Sequence, residues 1–277
     1  MNDGIKLIEL LTQKIEQDTL VLPTLPAIAM QVSDEASNPD ATLNGLHDII
    51  IKDPALSARI VKVANTVHIG KTKPVTGLNR AITRIGLKKI KNIAMGLAME
   101  QLFETDSPFT KVMMKRSWDN TVAVVGSTMG AFKTIDENIK SEFCVDTLML
   151  AALIHNIGCL PIYKEAHIFG DACYTHKFMQ PALESFSGQI GGKVLSKWGF
   201  DPVLVEVACK TNDFDYFTED ASYVDIIRLG MVADERQREH RSRILSDAKE
   251  KGLFESVSVF LSDEYVTAKS NALSIFE

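Results

Sequence analysis

The chain has 277 residues, of which 45% are hydrophobic, and a formal net charge of −6. This length holds one large domain, or a domain with an extension, and a sizeable core. The acidic balance argues against general nucleic-acid binding, which normally needs a cationic surface. The four cysteines show no CxxC spacing, the N-terminus has no signal-peptide pattern, and no uncharged apolar run approaches the ~20 residues that span a bilayer. We therefore expect a cytoplasmic protein without membrane insertion.

The first half of the chain predicts short helices joined by turns. Two prolines in Leu22-Pro-Thr-Leu-Pro26 exclude a regular helix, and the two leucines of this segment would anchor it to the body. Asp53 followed by Pro54 is a strong helix start. Asn65, at the edge of the following apolar stripe, is interpreted as an amide that ties down the next loop, with a ligand contact as the alternative. Apolar spacing predicts helices over 5–15, 27–36, 43–51, 54–67, 77–85 and 87–103.

The second half predicts longer helices. Their predicted ranges are 112–132, 142–155, 181–198, 202–210, 224–249 and 254–276, with an irregular stretch over 162–179. Asp201 and Pro202 form a second pair of N-cap and first-turn proline. Because no segment shows strand alternation or a hairpin turn, the chain predicts an all-α fold with about a dozen helices.

The most informative stretch lies in the predicted helix over 142–155. Its apolar run delivers His155 and Asn156, and Gly158 and Pro161 follow as helix-stop signals. The pattern therefore places His155 and Asn156 in the last turn of a buried helix. A His followed by Asp would be a metal-ligand pair, because imidazole and carboxylate together suit a catalytic divalent cation. The amide of Asn156 is neutral, so the stretch is either a working metal site or the remains of one.

Other catalytic patterns have little support. The sequence contains no GxxxxGK[ST], no GxGxxG after a strand, no GxSxG and no HExxH. Cys159 lies four residues after His155, which makes a thiol–imidazole pair conceivable, but no third group is identified that would orient it. A local basic patch could be formed by Lys88, Lys89 and Lys91 together with Arg80 and Arg84, but a solvated helix face is the simpler interpretation.

Several motifs occur in a fixed order: Leu22–Pro26, Asp53–Asn65, Ala81–Gly86, Trp118, His155–Gly158 and Trp198. Their order and spacing closely resemble the HDOD family, bacterial signalling domains related to the HD metal-dependent phosphohydrolases. The resemblance implies an all-α, multi-helix HDOD fold with an HD-like helical bundle in its second half. It divides the chain into an N-terminal helix (1–19), the HDOD domain (20–213) and a C-terminal helical extension (214–277). It also implies a regulatory role in the cytoplasm, commonly linked to cyclic-dinucleotide or two-component signalling.

The HD enzymes hold their metal through a His, a His-Asp pair and a distant Asp. The resemblance assigns these positions to Asn120, His155, Asn156 and Asp234, although the last register could equally select Met231. Further histidines of many HDOD proteins are replaced by Ser187, Thr211 and Asn212. One His and one carboxylate lack the charge and the ligand number that lower the pKa of a bound water. We therefore expect a degenerate site without a metal cofactor.

Three functions are compatible with these observations. The first is a non-catalytic module that binds a signalling protein. The second is a divergent phosphohydrolase of a nucleotide or phosphoester, which would hold a divalent metal through a substitute set of ligands. That set would be drawn from His155, His167, His176, Glu165, Asp171 and Asp146. The third is binding of a small ligand such as a cyclic dinucleotide, whose phosphates would contact Arg59, Arg80, Arg84 and Lys88.

Overall fold

The computed structural model describes residues 2–66, 73–233 and 239–276. Within these ranges all regular structure is helical and no strand occurs, which confirms the all-α prediction. The first seven α-helices are α1 (Asn2–Glu16), α2 (Ala27–Ser37), α3 (Leu43–Ile50), α4 (Pro54–Thr66), α5 (Leu78–Ile85), α6 (Leu87–Ala98) and α7 (Pro108–Thr134). The next are α8 (Glu137–Lys140), α9 (Val145–Ile154), α10 (Cys159–Ala166), α11 (His176–Lys197), α12 (Pro202–Lys210), α13 (Tyr223–Ala233), α14 (Arg241–Glu250) and α15 (Asp263–Leu273). Short 3-10 helices occupy Met99–Phe103, His167–Tyr174 and Val257–Leu261.

Two hydrophobic cores meet along α6. Ile90 and Ala94 of this helix belong to the smaller core, which α2 to α5 complete. Met95 and Ala98 belong to the larger core, which contains the second half of the chain together with α1. Within the larger core, α9, α13 and α15 all pack against α7. This arrangement is the helical bundle that the sequence predicts for the second half, with α7 at its centre.

The two predicted Asp-Pro helix starts are confirmed. The Asp53 carboxylate accepts a hydrogen bond from the backbone amide of Leu56 at 2.9 Å, which satisfies one of the unpaired donors at the start of α4. The Asp201 carboxylate accepts from the backbone amide of Val203 at 3.0 Å at the start of α12. In both helices the following proline occupies the first turn, where its missing N–H has no helical partner to lose.

The predicted anchors of the first loops are also confirmed. The Asn65 side chain donates to the carbonyl oxygen of Val75 at 2.8 Å and accepts from its backbone amide at 2.9 Å, so it ties down the loop after α4. Leu25 is buried in the larger core. The indole N–H of Trp198 donates to the carbonyl oxygen of Pro23 at 3.2 Å, which fixes the proline segment to the end of α11.

The central helix ends one residue before its predicted end, with His155 as the C-cap, but the chain that follows differs from the prediction. We expected His155 and Asn156 to lie in the last turn, with Gly158 and Pro161 beyond it as stop signals. Instead α9 ends at Ile154, a short turn follows, and α10 begins almost at once. Pro161 lies in the first turn of α10, where proline is tolerated, so it does not end the helical path.

Other helix boundaries were also wrong. The helix predicted to start at Pro181 begins at His176, because the Thr175 side chain caps it by accepting from the backbone amide of Phe178 at 3.2 Å. The predicted helix over 87–103 ends in a 3-10 turn. The prediction over 224–249 is divided between α13 and α14, and that over 254–276 between a 3-10 helix and α15. Residues 234–238 lie outside the described part of the chain.

One stretch in the described residues, Val145–Gly170, is long and apolar enough to cross a membrane by length and composition alone. In the fold it is divided among α9, α10 and part of a 3-10 helix. Of its most apolar window, 72% is buried inside the protein, as in the core segment of a globular fold. This pattern is weak evidence for a membrane span.

Arg228 of α13 organises the loop that follows α12. The residue is 1% exposed, and its guanidinium donates to the carbonyl oxygens of Lys210 at 2.6 Å, Thr211 at 3.0 Å and Tyr216 at 2.7 Å, and also to that of Asp213. The positive charge therefore lies at the carboxyl end of α12, where the helix dipole favours it. Burial lowers the pKa of this guanidinium, and the charge of Asp225 opposes that effect.

We expect Arg228→Lys to lower the free energy of unfolding by at least about 2 kcal/mol, because an ammonium cannot reproduce the planar fork of donors and leaves buried carbonyl groups unpaired. Urea unfolding measures this change. Arg243→Lys is the matched control, because Arg243 also packs over an aromatic ring, that of Phe217, but its side chain is 56% exposed. Equal stability losses in the two variants would contradict the role assigned to Arg228.

Candidate functional site

The turn between α9 and α10 carries His155 and Asn156 and lies against α7. His155 is 5% exposed. Its Nδ1 lies 2.6 Å from the carbonyl oxygen of Ala152, which can only accept, so Nδ1 carries a proton and donates it to this carbonyl. The last turn of α9 therefore fixes the orientation of the imidazole.

Asn156 connects this turn to α7 through its side-chain amide. Its Oδ1 accepts from the hydroxyl of Thr121 at 3.1 Å, and its Nδ2 donates to the hydroxyl of Ser117 at 3.4 Å. Ser117 and Thr121 are buried and lie one turn apart on α7. Asn120 lies three residues after Ser117 and is therefore its neighbour on the surface of α7. The fold thus brings Asn120, His155 and Asn156 into the same region, whereas Asp234 lies outside the described residues.

Two further polar side chains near Ser117 are those of Tyr163 and Cys159. Tyr163 lies close to the side chains of Ser117 and Cys159. Burial raises the pKa of the Cys159 thiol to about 12 and also raises the pKa of the Tyr163 hydroxyl. The thiol is therefore protonated at neutral pH and is a weak nucleophile, which disfavours a catalytic pair with His155.

Gly158 positions this turn directly against α11. A Cβ atom at this residue would overlap the carbonyl oxygen of Ser187 and would lie 2.6 Å from the backbone nitrogen of Gly191. The backbone at Gly158 has φ −66° and ψ −13°, which any residue can adopt. The glycine is therefore needed for space between two backbones and not for its conformational freedom.

The described side chains at the HD ligand positions do not fit a catalytic divalent cation. Asn120 and Asn156 offer neutral amides, and the amide of Asn156 is engaged with two hydroxyl groups of α7. In residues 2–66, 73–233 and 239–276, no three His, Cys, Asp or Glu side chains come together to form a metal site. Ser187 and Thr211, at the positions of further family histidines, are buried. The Thr211 hydroxyl donates to the carbonyl oxygen of Val207 at 2.7 Å.

In the described part of the chain, the alternative metal ligands that the sequence offered do not cluster around His155. Asp146 lies at the opposite end of α9, about 13 Å away along the helix axis, and its carboxylate is 3.8 Å from the ammonium of Lys89. Burial raises the pKa of Asp146, and Lys89 opposes that effect. Glu165 pairs with Lys14 of α1 at 2.6 Å. His167 is exposed, and the side chains of Asp171 and His176 lie outside the description.

The predicted basic surface is only partly assembled. Arg80 is exposed on α5, and Arg84, one turn later, donates to the carbonyl oxygen of Lys73 at 2.7 Å. Arg59 instead forms an ion pair with Glu100 of the 3-10 helix that follows α6. The side chain of Lys88 is outside the described part. Arg80 and Arg84 thus share one helix, while Arg59 is engaged elsewhere.

Sequence reasoning missed Ser117, Thr121 and Tyr163. Ser117 and Thr121 are four residues apart and bracket Asn120, so their spacing could have indicated two hydroxyl groups on the same face of α7. Nothing in the local sequence connects them to Asn156, because the contacts span 39 and 35 residues. Tyr163 belongs to a stretch that we predicted as irregular, and it lies in α10.

The fold and the site together define an all-helical protein with an HD-like bundle, in which amides stand at two positions that the sequence resemblance assigns to the metal ligands of the HD enzymes. The sequence profile described as "HDOD domain" matches residues 22–214. The chain belongs to the HDOD domain family.

Solved structures have the same fold. A protein of Shewanella amazonensis SB2B, named "putative metal-dependent phosphohydrolase", is 32% identical, with a TM-score of 0.89 and 100% of both chains covered. An "HDOD domain protein with unknown function" of Geobacter sulfurreducens has a TM-score of 0.67 at 15% identity, covering 99% of this chain and 98% of that one. A "putative signal transduction protein" of Marinobacter aquaeolei VT8 has a TM-score of 0.51 at 18% identity, covering 94% of this chain and 67% of that one.

A curated relative from Treponema pallidum (strain Nichols), named "uncharacterized protein", is 21% identical over 137 residues. The match covers 50% of this chain and 25% of that protein. The chain therefore spans about a quarter of the length of the curated relative it matches.

We expect Gly158→Ala to lower the free energy of unfolding by about 1–3 kcal/mol or more, because the added methyl group would push apart the backbones of the turn and α11. Denaturant unfolding tests this. Gly77→Ala is the control, since a Cβ there meets nothing within 4 Å, and its effect should stay within about 1 kcal/mol. If the two variants unfolded at the same denaturant concentration, the close approach at Gly158 would not limit the packing.

Proposed function

We propose that this protein is a non-catalytic signal-transduction module of the HDOD type that acts by binding a bacterial signalling protein in the cytoplasm. The observation that carries the proposal is the side-chain amide of Asn156, held between Ser117 and Thr121 at the position of the HD aspartate. A neutral amide that already serves two hydroxyl groups supplies no charge to attract a divalent ion. Binding and not hydrolysis is therefore the activity that these residues support.

A metal-dependent phosphohydrolase is the second candidate. The observation in its favour is the 32% identity, over the full length of both chains, to the Shewanella protein whose name carries that activity. Under this alternative a metal would need His155 together with a carboxylate such as Asp234. The proposed module and the enzyme therefore differ in whether His155 holds a metal.

A cyclic dinucleotide is the small ligand that we propose for the basic side chains of α5. Arg80 and Arg84 lie one turn apart on this helix, a spacing that suits two phosphate oxygens. Such binding would be compatible with a non-catalytic module, because it needs no metal.

The test is the metal content of the protein purified without chelator and without a metal-affinity step. We expect substoichiometric iron, manganese and zinc by elemental mass spectrometry, with the same values in the His155→Ala variant. His47→Ala is the matched control, because His47 lies on α3 outside the bundle. Stoichiometric metal that is lost in His155→Ala but kept in His47→Ala would overturn the proposal and favour the phosphohydrolase.

A further inference from the structure

We propose that the hydrogen bonds of Asn156 with Ser117 and Thr121 replace a metal ion as the cross-link between α7 and the turn after α9. This inference rests on the proposed function, because it requires that the site holds no metal. It adds that Asn156 is more than a lost ligand: its side chain performs the structural task that ligands on separate helices perform when they share a cation.

The geometry places one side chain across the junction. The Asn156 amide reaches Thr121 at 3.1 Å and Ser117 at 3.4 Å, and these two residues are 0% and 4% exposed. The single hydroxyl proton of Thr121 is shared between the Oδ1 of Asn156 and the carbonyl oxygen of Ser117, which lies 2.9 Å away, so the contact includes the backbone of α7. Loss of a hydrogen bond at this buried junction lowers the stability of the folded protein, because the polar group left behind cannot replace its partner with water.

The chemistry of the junction favours an amide over the carboxylate of the HD enzymes. An amide accepts through its oxygen and donates through its nitrogen, whereas an ionised carboxylate only accepts. The nitrogen of Asn156 donates to the hydroxyl of Ser117 at 3.4 Å, and its oxygen accepts from the hydroxyl of Thr121 at 3.1 Å. Both ends of the neutral amide are therefore used at this junction.

A double-mutant cycle measured by thermal unfolding in EDTA tests the cross-link. We expect Asn156→Ala to lower Tm by about 3–8 °C and Ser117→Ala to lower it by a smaller amount. The decrease in Tm of the double variant should be smaller than the sum of the two single decreases, by about 2 °C or more, because both changes remove the same contact. If Asn156→Ala does not fold, a second cycle combines two milder substitutions, Thr121→Val and Ser117→Ala.

Ser127→Ala is the matched control for the cycle. Ser127 is fully buried on the same helix, and within the described residues its hydroxyl has no hydrogen-bond partner. Its effect should therefore add to that of Asn156→Ala within error. If the decreases in Tm of Asn156→Ala and Ser117→Ala were additive, and those of the second cycle were additive too, the proposed cross-link would be wrong.

Repeating the melts with excess manganese separates the two proposals. We expect no change in the Tm of the unaltered protein, whereas a ligand that binds the native state would raise it. A manganese-dependent rise that is lost in His155→Ala would contradict the proposed function. The EDTA cycle gives its answer independently, so additive losses without any manganese effect would contradict the cross-link alone.

Discussion

The close approach of two backbones at Gly158 determines the geometry of this site. Because this residue has no Cβ, the turn after α9 can lie against the carbonyl oxygen of Ser187 and the backbone nitrogen of Gly191 on α11. The position of the turn then sets the positions of His155 and Asn156 relative to α7. A backbone contact of this kind has little freedom to relax, since neither partner can rotate away as a side chain would. The glycine is thus a spatial requirement of the bundle.

The turn after α9 is held to α7 through neutral side chains. Amides stand at Asn120 and Asn156, the two positions that the family resemblance assigns to metal ligands. Replacing a carboxylate with an amide changes the task of the side chain from cation binding to paired donation and acceptance. Ser117 and Thr121 supply the matching groups on α7. A site of this composition can hold the two helices together without a cation.

The region after α12 contains buried charged side chains that are paired inside the protein. Arg228 is surrounded by backbone carbonyl groups and by the rings of Phe214 and Phe217, and Lys251 is paired with Asp225 at 3.1 Å and with Asp247 at 2.8 Å. Each of these charges has its partners inside the protein, which offsets the cost of removing it from water. These contacts join the end of the HDOD match to the helices that follow it, whereas the domain bounds at 19 and 213 stay a prediction.

Local sequence signals determined the helical class, the Asp53 and Asp201 caps, the loop-binding role of Asn65 and the family, because each depends on residues a few positions apart or on an ordered set of motifs. They also identified the neutral amide at position 156. The tertiary structure alone decided which groups that amide meets, since its partners on α7 are 35 and 39 residues distant. It also decided that Pro161 continues a helical path, because a proline at the start of a helix and one just after its end share the same local pattern. Helix periodicity reports which face is apolar, and only packing reports what that face touches.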